Sequence, residues 1–264
     1  MNFDTAFGAA ITSLFIAKII GSEVPPVVIT ALILAVLAIY NFDHLLDAKK
    51  IRGIAISGRH RFYQQNFLIL ALYQIILLMA LLVISWFVPA IVVHAGIIIA
   101  VISLIYFLLL FIVLPQRFVL KEFIIAAVFS FGLFIGPLAE NPIQAISVPV
   151  VLLWLEIFLL AIANTLIFSW LDYDSDMSEG HSSLAQILGA KKVQHLSYLL
   201  LAILVIIITA SLINNALWGD QLIVMVMGLV LFISLSAGKL FEANENMRII
   251  GEAIFLFPLL RLIL

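Results

Sequence analysis

Nine segments of this sequence are apolar over roughly the length of a membrane-spanning helix, which is about 17 to 25 residues. Of the whole chain, 65% is hydrophobic and 11% is charged, whereas a soluble domain is about 45–50% apolar and about 25% charged. So few polar side chains cannot cover so much apolar surface in water. The sequence therefore predicts an all-α, polytopic membrane helical bundle of about nine transmembrane helices around a central cavity. The predicted spans are 5–21, 24–42, 66–88, 90–114, 122–139, 149–170, 195–213, 221–240 and 247–264.

The same composition excludes several classes of protein. A soluble enzyme and a disordered tail are ruled out by the apolar content, and the net charge of −2 offers no basic field for nucleic acid. The chain has no cysteine, which excludes disulfides, thiolate metal sites and a cysteine nucleophile. Residues 1–264 are expected to form a single transmembrane domain. Only Pro89 divides the third span from the fourth, so eight spans are the alternative.

Lysine and arginine predict the orientation of the spans. Eleven of the 13 basic residues fall in every second loop if the N-terminus is cytoplasmic, and the other loops contain none. This asymmetry predicts a cytoplasmic N-terminus and an external C-terminus. The N-terminal region does not resemble a cleavable signal peptide, so the first span is expected to remain. A compact chain of this kind suits a prokaryotic inner membrane.

Two acidic clusters stand at equivalent places in this topology. Asp43 and Asp47 follow the second span, and Asp172 and Asp176 follow the sixth. Residues four apart share one face of a helix, where two carboxylates repel each other. A hard divalent cation such as Mg²⁺ would offset this repulsion. The pattern favours Mg²⁺-assisted handling of a diphosphate whose apolar tail enters the bundle, although a lone acidic pair at a helix end is more often simply solvated.

The clusters lie four spans apart, which suggests an internal division of the domain. The predicted halves are 1–114 and 115–240, and 247–264 is added as a ninth helix. If the halves pack around a common axis, the two acidic pairs face each other over one cavity.

The second cluster also lies within a longer pattern. An asparagine, Asn164, stands eight residues before Asp172, and a glycine stands four residues after Asp176. A leucine-rich run ending in glycine follows, in the register Gly180, Ser183, Leu184, Leu188 and Gly189. In these residues, in the paired motifs and in the number of spans, the sequence resembles the UbiA superfamily of intramembrane aromatic prenyltransferases.

The resemblance has gaps. The first motif of the family has an asparagine where this sequence has Ile39, and Asn41 lies two residues before Asp43. The Arg-Pro pair usual in the next loop is absent, which leaves Arg52 and Arg59-His60-Arg61. The basic pair after Gly180 is replaced by His181-Ser182.

The resemblance implies a membrane prenyltransferase that transfers a prenyl group from a prenyl diphosphate to an aromatic or other lipophilic acceptor. The aspartates Asp43, Asp47, Asp172 and Asp176 would bind Mg²⁺ bridged by the diphosphate and form the catalytic centre. Asp174 lies off their face, where it would cap the helix or charge the surface. The implied substrate-binding residues are Asn41, Arg59, Arg61, Lys121, Asn164 and Ser183.

Other ionisable residues are interpreted mainly as structural. Glu156, inside the sixth span, is expected to hydrogen-bond between helices, with a general base as the alternative. Glu252 is expected to pair with Arg248, while Lys18 and Arg261 are expected to extend towards the interface. His44 and His60, in the region of the first motif, are expected to be solvated, with a phosphate contact as the alternative.

Two other functions remain open at this point. The departures from the family pattern favour a catalytically silent scaffold or lipid-binding protein with the same shape. A transporter would place charged or broken-helix sites near the middle of the bilayer, and Glu156 is the principal residue there.

Overall fold

The computed structural model describes residues 3–51, 53–109, 120–179, 183–213, 218–241 and 246–263. Within these ranges the chain forms helices and connecting turns, with no strand, which confirms the predicted all-α bundle. The helices are α1 (Phe3–Ile20), α2 (Pro26–Lys50), α3 (Gly58–Gln65), α4 (Phe67–Ser85), α5 (Ala90–Leu108), α6 (Lys121–Ile135), α7 (Val148–Leu171), α8 (Tyr173–Glu179), α9 (Leu184–Leu188), α10 (Ala190–Ile213), α11 (Trp218–Phe241), α12 (Asn246–Ala253) and α13 (Leu259–Ile263). Short 3₁₀ turns cover Pro142–Ile146 and Ile254–Leu256.

Seven of the described helices are long and apolar enough to cross a membrane, namely α1, α2, α4, α5, α7, α10 and α11. The chain is therefore an integral membrane protein. The span predicted at 122–139 is the shorter helix α6, which ends just before Gly136 and Pro137. The last predicted span is also apolar, but it is broken into α12, a 3₁₀ turn and α13. Pro258 lies at this break. Proline has no backbone N–H, so it cannot make the hydrogen bond that would continue the helix.

Helix α2 is longer than the apolar segment that predicts it. Pro25 and Pro26 begin the helix, and it continues to Lys50, eight residues past the predicted end. Proline is well suited to the first turn, where its missing N–H has no intrahelical partner to lose. The extension places the first acidic pair on a regular helix with one face towards the bundle.

Helices α1 and α7 form the centre of the bundle, and more than half of the residues in their apolar windows are buried. Helix α7 packs against α6 on one side and α10 and α11 on the other, whereas α4 and α5 are largely exposed to the surroundings. Two hydroxyls of α1 bond to neighbouring segments. Thr12 Oγ1 donates to the carbonyl of Phe255, in the C-terminal 3₁₀ turn, at 3.0 Å, and Ser13 Oγ donates to the carbonyl of Leu133, in α6, at 2.9 Å.

Glu156 is fully buried in α7 and links three helices. Ser211 of α10 donates its hydroxyl to one carboxyl oxygen at 2.6 Å, and Gln221 of α11 donates its amide to the other at 3.2 Å. This geometry supports the structural interpretation of Glu156 over a transport site.

Replacing Glu156 with leucine is expected to lower the free energy of unfolding by roughly 2 kcal/mol, because the Ser211 and Gln221 donors lose their acceptor in an apolar interior. The loss would appear as a lower melting temperature in detergent, followed by tryptophan fluorescence. Glu140→Leu, at an exposed glutamate between α6 and α7, is the control. Equal melting of both variants and wild type would contradict the structural role.

A second polar group lies near this one, where α1 ends and α11 begins. Lys18 Nζ donates to the Arg261 carbonyl at 2.6 Å, and Arg261 Nε donates to Asp220 Oδ1 at 2.7 Å. The Asp220 side chain is almost fully buried. Lys18 and Arg261 therefore join α1, α11 and α13. The sequence analysis expected them only to extend towards the interface and did not predict these contacts.

Candidate functional site

A cavity of about 150 Å³ opens where α2 and α7 end and α6 begins. Its wall includes side chains from α1, α2, α3, α6, α7, α8 and α12. Eleven of the residues that line it are charged or can titrate: Tyr40, Asp43, His44, Asp47, Arg59, His60, Lys121, Glu122, Asp172, Asp176 and Glu252. Both predicted acidic pairs thus lie at one cavity, although they are more than 120 residues apart in sequence.

The first acidic pair has a histidine between its members. Asp43, His44 and Asp47 each present a possible ligand atom, and these atoms all lie within 4.8 Å of one another. The His44 ring is buried edge-on against Tyr63, with ring centroids 5.1 Å apart. His44 is therefore part of the packed wall, and the expectation that it is solvated is wrong.

The second acidic pair lies across the cavity at the junction of α7 and α8. Asp172 closes α7, and the Asp176 amide donates to the Asp172 carbonyl at 2.8 Å, which continues the helical turn through the motif. Burial raises the pKa of the Asp176 carboxyl to about 7, and the charges of Asp172 and Asp47 add to this, while Lys121 and the Ser183 hydroxyl oppose it. Asp174 is exposed and does not line the cavity.

Two basic side chains lie among these carboxylates. Lys121, the first residue of α6, is close enough to Asp43, Asp47 and Asp176 to interact electrostatically with all three. Arg59 of α3 also lines the cavity and interacts with Asp43. The mouth of the cavity thus combines acidic groups suited to a cation with basic groups suited to an anion.

The cavity becomes apolar away from this mouth. Its inner wall contains Ile125 and Phe129 of α6, Ala161 and Phe168 of α7, and Phe255. Helix α6 lines the cavity from Lys121 to Phe129. These two residues are eight positions apart, which is about 12 Å along the helix at 1.5 Å per residue. An elongated molecule with an anionic head and an apolar tail matches this arrangement.

Not every residue predicted to bind substrate reaches the cavity. Asn164 and Ser183 line it, as do Arg59 and Lys121. Asn41 instead donates its amide to the Leu70 carbonyl at 3.1 Å and to Gln74 Oε1 at 2.9 Å, which ties α2 to α4. Arg61 is exposed, and its Nε donates to the carbonyl of Ala55, in the loop just before α3, at 3.1 Å.

The departures from the family pattern fall in several places. Ile39 packs against the cluster of Tyr106 and Phe107 and does not line the cavity. Arg52 and the segment 180–182, which includes Gly180, His181 and Ser182, lie outside the described residues, as does Arg117. The Arg248 side chain is likewise outside the description, whereas Glu252, expected to pair with it, lines the cavity.

A residue that the sequence analysis missed joins the two motif loops. Glu179, at the end of α8, accepts the backbone N–H groups of Ile56 and Ser57, each at 2.7 Å, and pairs with the His60 ring. Burial raises the pKa of the Glu179 carboxyl, but the hydrogen bonds from Ser57, His60 and Ile56 outweigh it and lower that pKa below its usual value. The contact is therefore complete at neutral pH and is lost only in acid. His60 is buried in this contact rather than solvated.

With a prenyl diphosphate, the substrate that the sequence resemblance implies, replacing Glu179 with alanine is expected to raise KM about tenfold, with a smaller change in kcat. The substitution frees the loop that carries Arg59 into the cavity, and positioning of this kind affects substrate binding first. Glu179→Gln keeps an oxygen for the two backbone N–H groups, so its effect should be smaller. Steady-state kinetics would check both variants, and an unchanged KM in Glu179→Ala would contradict the positioning role.

The segment after the second motif is also anchored. Glu122 of α6 accepts the Leu184 backbone N–H at 2.7 Å, and Ser169 of α7 accepts that of Ala185 at 3.1 Å. These contacts hold the first turn of α9, and with it Ser183, beside the cavity. Glu122 had no distinguishing signal in the sequence, because an acidic residue in the first turn of a helix is common.

The residues present fit a hard divalent cation. Asp43 and Asp47 bring oxygens close together on one helix, and Asp172 and Asp176 bring a second pair across the cavity. Carboxylate oxygens are the ligands that Mg²⁺ takes, usually together with water and substrate phosphate. Burial raises the pKa of Asp176 most, and the repulsion from Asp172 and Asp47 that adds to it is the kind that a bound cation relieves.

No family model and no curated protein matches this sequence. Two solved structures match the fold. One, a UbiA homolog from Archaeoglobus fulgidus bound to GPP and Mg²⁺, is 15% identical with a TM-score of 0.62, over 100% of both chains. The chain has the UbiA fold. The other, a digeranylgeranylglyceryl phosphate synthase, is 18% identical with a TM-score of 0.60, over 97% of this chain and 92% of that one.

The match with the UbiA fold extends from one end of the chain to the other. It includes the broken C-terminal segment, since the first of these comparisons covers all 264 residues. The resemblance expected from the paired motifs is therefore confirmed at the level of the fold.

Proposed function

We propose that this protein is a membrane prenyltransferase, which transfers a prenyl group from a prenyl diphosphate to a lipophilic acceptor with the help of Mg²⁺. The observation that carries the proposal is the cavity itself, in which four aspartates surround a mouth that continues into an apolar interior. The presence of GPP and Mg²⁺ in a structure of the same fold supports the same ligands here.

The side chains divide into three roles in this proposal. Asp43, Asp47, Asp172 and Asp176 hold the metal at the diphosphate, and Lys121 and Arg59 contact phosphate oxygens. Mg²⁺, when bound, neutralises the negative charge of the leaving diphosphate. The wall formed by Phe129, Phe168 and Phe255 receives the prenyl chain and keeps water from the reacting carbon.

The same proposal assigns the cavity mouth to the cytoplasm. Lys49 and Lys50 end α2, Arg59 and Arg61 are in α3, and Lys121 begins α6, all at the end of the bundle where the cavity opens. An excess of basic residues marks the cytoplasmic side of a membrane protein. Water-soluble diphosphate and Mg²⁺ would then enter from the cytoplasm, as in a prokaryotic inner membrane.

A catalytically silent relative is the second candidate. It is favoured by Asn41 and Arg61, because both make structural contacts in place of the cavity contacts implied by the resemblance. In this case the aspartates would remain while the phosphate contacts are fewer. The two candidates differ in whether the bound diphosphate turns over.

Binding of geranyl diphosphate to the purified protein, with and without Mg²⁺, tests the proposed site. We expect Mg²⁺-dependent binding in wild type that is lost in Asp172→Ala and retained in Asp174→Ala, since Asp174 is an exposed acid only two residues away. Binding without dependence on either Mg²⁺ or Asp172 would contradict the site assignment.

Turnover with a panel of lipophilic acceptors then separates the two candidates. Release of diphosphate that requires both Mg²⁺ and an acceptor supports the transferase. Tight, Mg²⁺-dependent binding with no release across the panel supports the silent relative.

A further inference from the structure

The two carboxylate oxygens of Glu122 have different surroundings. Glu122 is the second residue of α6 and lines the cavity, although only 5% of its surface is exposed. Oε1 accepts the backbone N–H of Leu184 at 2.7 Å, whereas Oε2 is buried and has no hydrogen-bonding partner within the described part of the chain. Buried polar atoms are nearly always paired, so an unpaired one in a cavity wall indicates a ligand.

The charge of Glu122 is also incompletely compensated. A buried carboxylate needs a cationic partner or a metal ion. Lys121, the residue before it, interacts most strongly with Asp47 and Asp43, and less strongly with Glu122. Protonation would not satisfy Oε2, because no acceptor among the described residues is in hydrogen-bonding reach of that atom. A cation that enters the cavity would satisfy both the atom and the charge.

The position of Glu122 on α6 directs it towards this cavity. Ile125, Ala126 and Phe129 follow Glu122 by three, four and seven residues, and all of them line the cavity. Residues at these spacings share one face of a helix. Since α6 begins at the acidic mouth, Glu122 is the member of this face that lies at the mouth.

Two consecutive residues connect Glu122 with the second acidic pair. Leu184 donates its backbone N–H to Glu122. The hydroxyl of Ser183, the residue before Leu184, lies close enough to the Asp176 carboxyl to stabilise its charge. Neighbouring Cα atoms are about 3.8 Å apart. The carboxylates of Glu122 and Asp176 are therefore held beside the same short segment.

We propose that Glu122 is a fifth metal-binding carboxylate of the cavity, whose Oε2 binds the cation held by Asp172 and Asp176. Carboxylate oxygens suit Mg²⁺ and Mn²⁺, with water completing the coordination. Oε1 keeps its hydrogen bond from Leu184, so the bound cation also fixes the start of α9 beside the mouth. The inference rests on the proposed function, because that proposal assigns a cation to the second acidic pair.

Binding of Mn²⁺ alone, without a diphosphate, tests the inference. The protein is placed in phosphatidylcholine nanodiscs, and free Mn²⁺ is counted by its electron paramagnetic resonance signal, with Mg²⁺ as competitor. We expect Glu122→Gln to weaken Mn²⁺ binding about tenfold or more, which is the scale for loss of a group that supports a metal. Glutamine keeps an oxygen for the Leu184 N–H, but its NH₂ group in place of Oε2 only donates and does not bind a cation.

Two matched controls separate metal binding from anchoring and from overall charge. Ser169→Ala removes the acceptor of the Ala185 N–H and loosens the same turn of α9 without removing a charge. Asp174→Asn removes an exposed charge two residues from Asp172. Each should change Mn²⁺ affinity by less than about threefold, since exposed charges contribute little. If either variant weakened binding as much as Glu122→Gln, the inference would be wrong.

A double-mutant cycle shows whether Glu122 and Asp172 bind the same cation. In Asp172→Asn this cation site is already lost, so adding Glu122→Gln should have little further effect. In Asp43→Asn, which alters the other acidic pair, Glu122→Gln should keep its full effect. Equal effects in the two backgrounds would contradict a shared site.

Hydrogen exchange in wild type gives a second measurement that needs no variant to fold. Mg²⁺ should slow exchange in segment 183–189, because the bound cation fixes the carboxylate that accepts the Leu184 N–H. Unchanged exchange in this segment at saturating Mg²⁺ would overturn the inference.

The outcomes distinguish this inference from the proposed function. Mn²⁺ binding that is weakened by Asp172→Asn but unchanged in Glu122→Gln overturns the inference and leaves the proposed function intact. Failure of wild type to bind Mn²⁺, or binding that does not depend on Asp172, overturns the proposed function and the inference with it.

Discussion

Replacing Asp43 or Asp172 with asparagine is expected to lower kcat/KM for Mg²⁺-dependent diphosphate release by at least about 100-fold, which is the scale for removal of one group that stabilises charge in a transition state. Asparagine keeps the size of the side chain but removes an anionic ligand, so both metal binding and the diphosphate contact weaken. The measurement is diphosphate release by purified protein over a range of Mg²⁺ concentrations.

The same substitutions should not destabilise the protein in the absence of metal. Asp43 and Asp47 are four residues apart on one helix, and Asp172 raises the pKa of Asp176 across one turn. Removing one charge relieves this repulsion. We expect both variants to melt at or above the wild-type temperature in EDTA, so that a loss of activity is not explained by misfolding.

Asp174→Asn is the control for this prediction, because it removes the same charge two residues from Asp172, at an exposed position in α8. It should retain wild-type turnover. If Asp174→Asn lost as much activity as Asp172→Asn, the effect would reflect the overall charge of the loop rather than a metal site.

Replacing Lys121 with methionine is expected to lower the stability of the metal-free protein, unlike the two aspartate substitutions. Lys121 lies among Asp43, Asp47, Asp176 and Glu122, and methionine retains the length of the side chain without the charge. Loss of the positive charge leaves four carboxylates less well compensated, and we expect the free energy of unfolding in EDTA to fall by roughly 2 kcal/mol. We also expect kcat/KM to fall about 100-fold, because the diphosphate loses a contact.

Added Mg²⁺ provides the decisive comparison. A cation at the aspartates replaces the missing positive charge, so the melting temperature of Lys121→Met should rise more with Mg²⁺ than that of wild type. Lys121→Arg should keep most of the stability, and Lys191→Met, at an exposed lysine of α10, should behave as wild type in both assays. If Lys121→Met showed no such Mg²⁺ response, Lys121 and the metal would not share one site.

The sequence predicted the main helices because each apolar segment is long enough to satisfy its own backbone hydrogen bonds within a membrane. It was less accurate where polar and apolar residues meet. Helix α2 continues through Asp43 and Asp47 to Lys50, since the helix ends where backbone geometry changes and not where hydropathy falls. The C-terminal segment reads as one apolar span, but Pro258 interrupts it.

The acidic pairs were also readable, because a D-x-x-x-D spacing on a helix determines which side chains share a face. The contacts that these segments make with other helices could not be predicted from the sequence. Asn41 lies within the first motif, but it bonds to Gln74 of α4, and a sequence pattern does not show which face of α2 meets that helix. Glu179 and His60 are 119 residues apart, and only the packing of two loops brings them together.

The sequence by itself determined that this chain is a bundle of membrane helices with two carboxylate pairs near one side of the membrane, because span length and helical periodicity are local properties. Only the tertiary structure decided which polar groups share the cavity. It kept Lys121 and Arg59, which the resemblance had implied, at the cavity wall, added Thr5 and Glu252, and directed Asn41 and Arg61 elsewhere. The physical reason is that the composition of a cavity depends on how separate helices rotate and pack, and residues far apart in the chain set that rotation together.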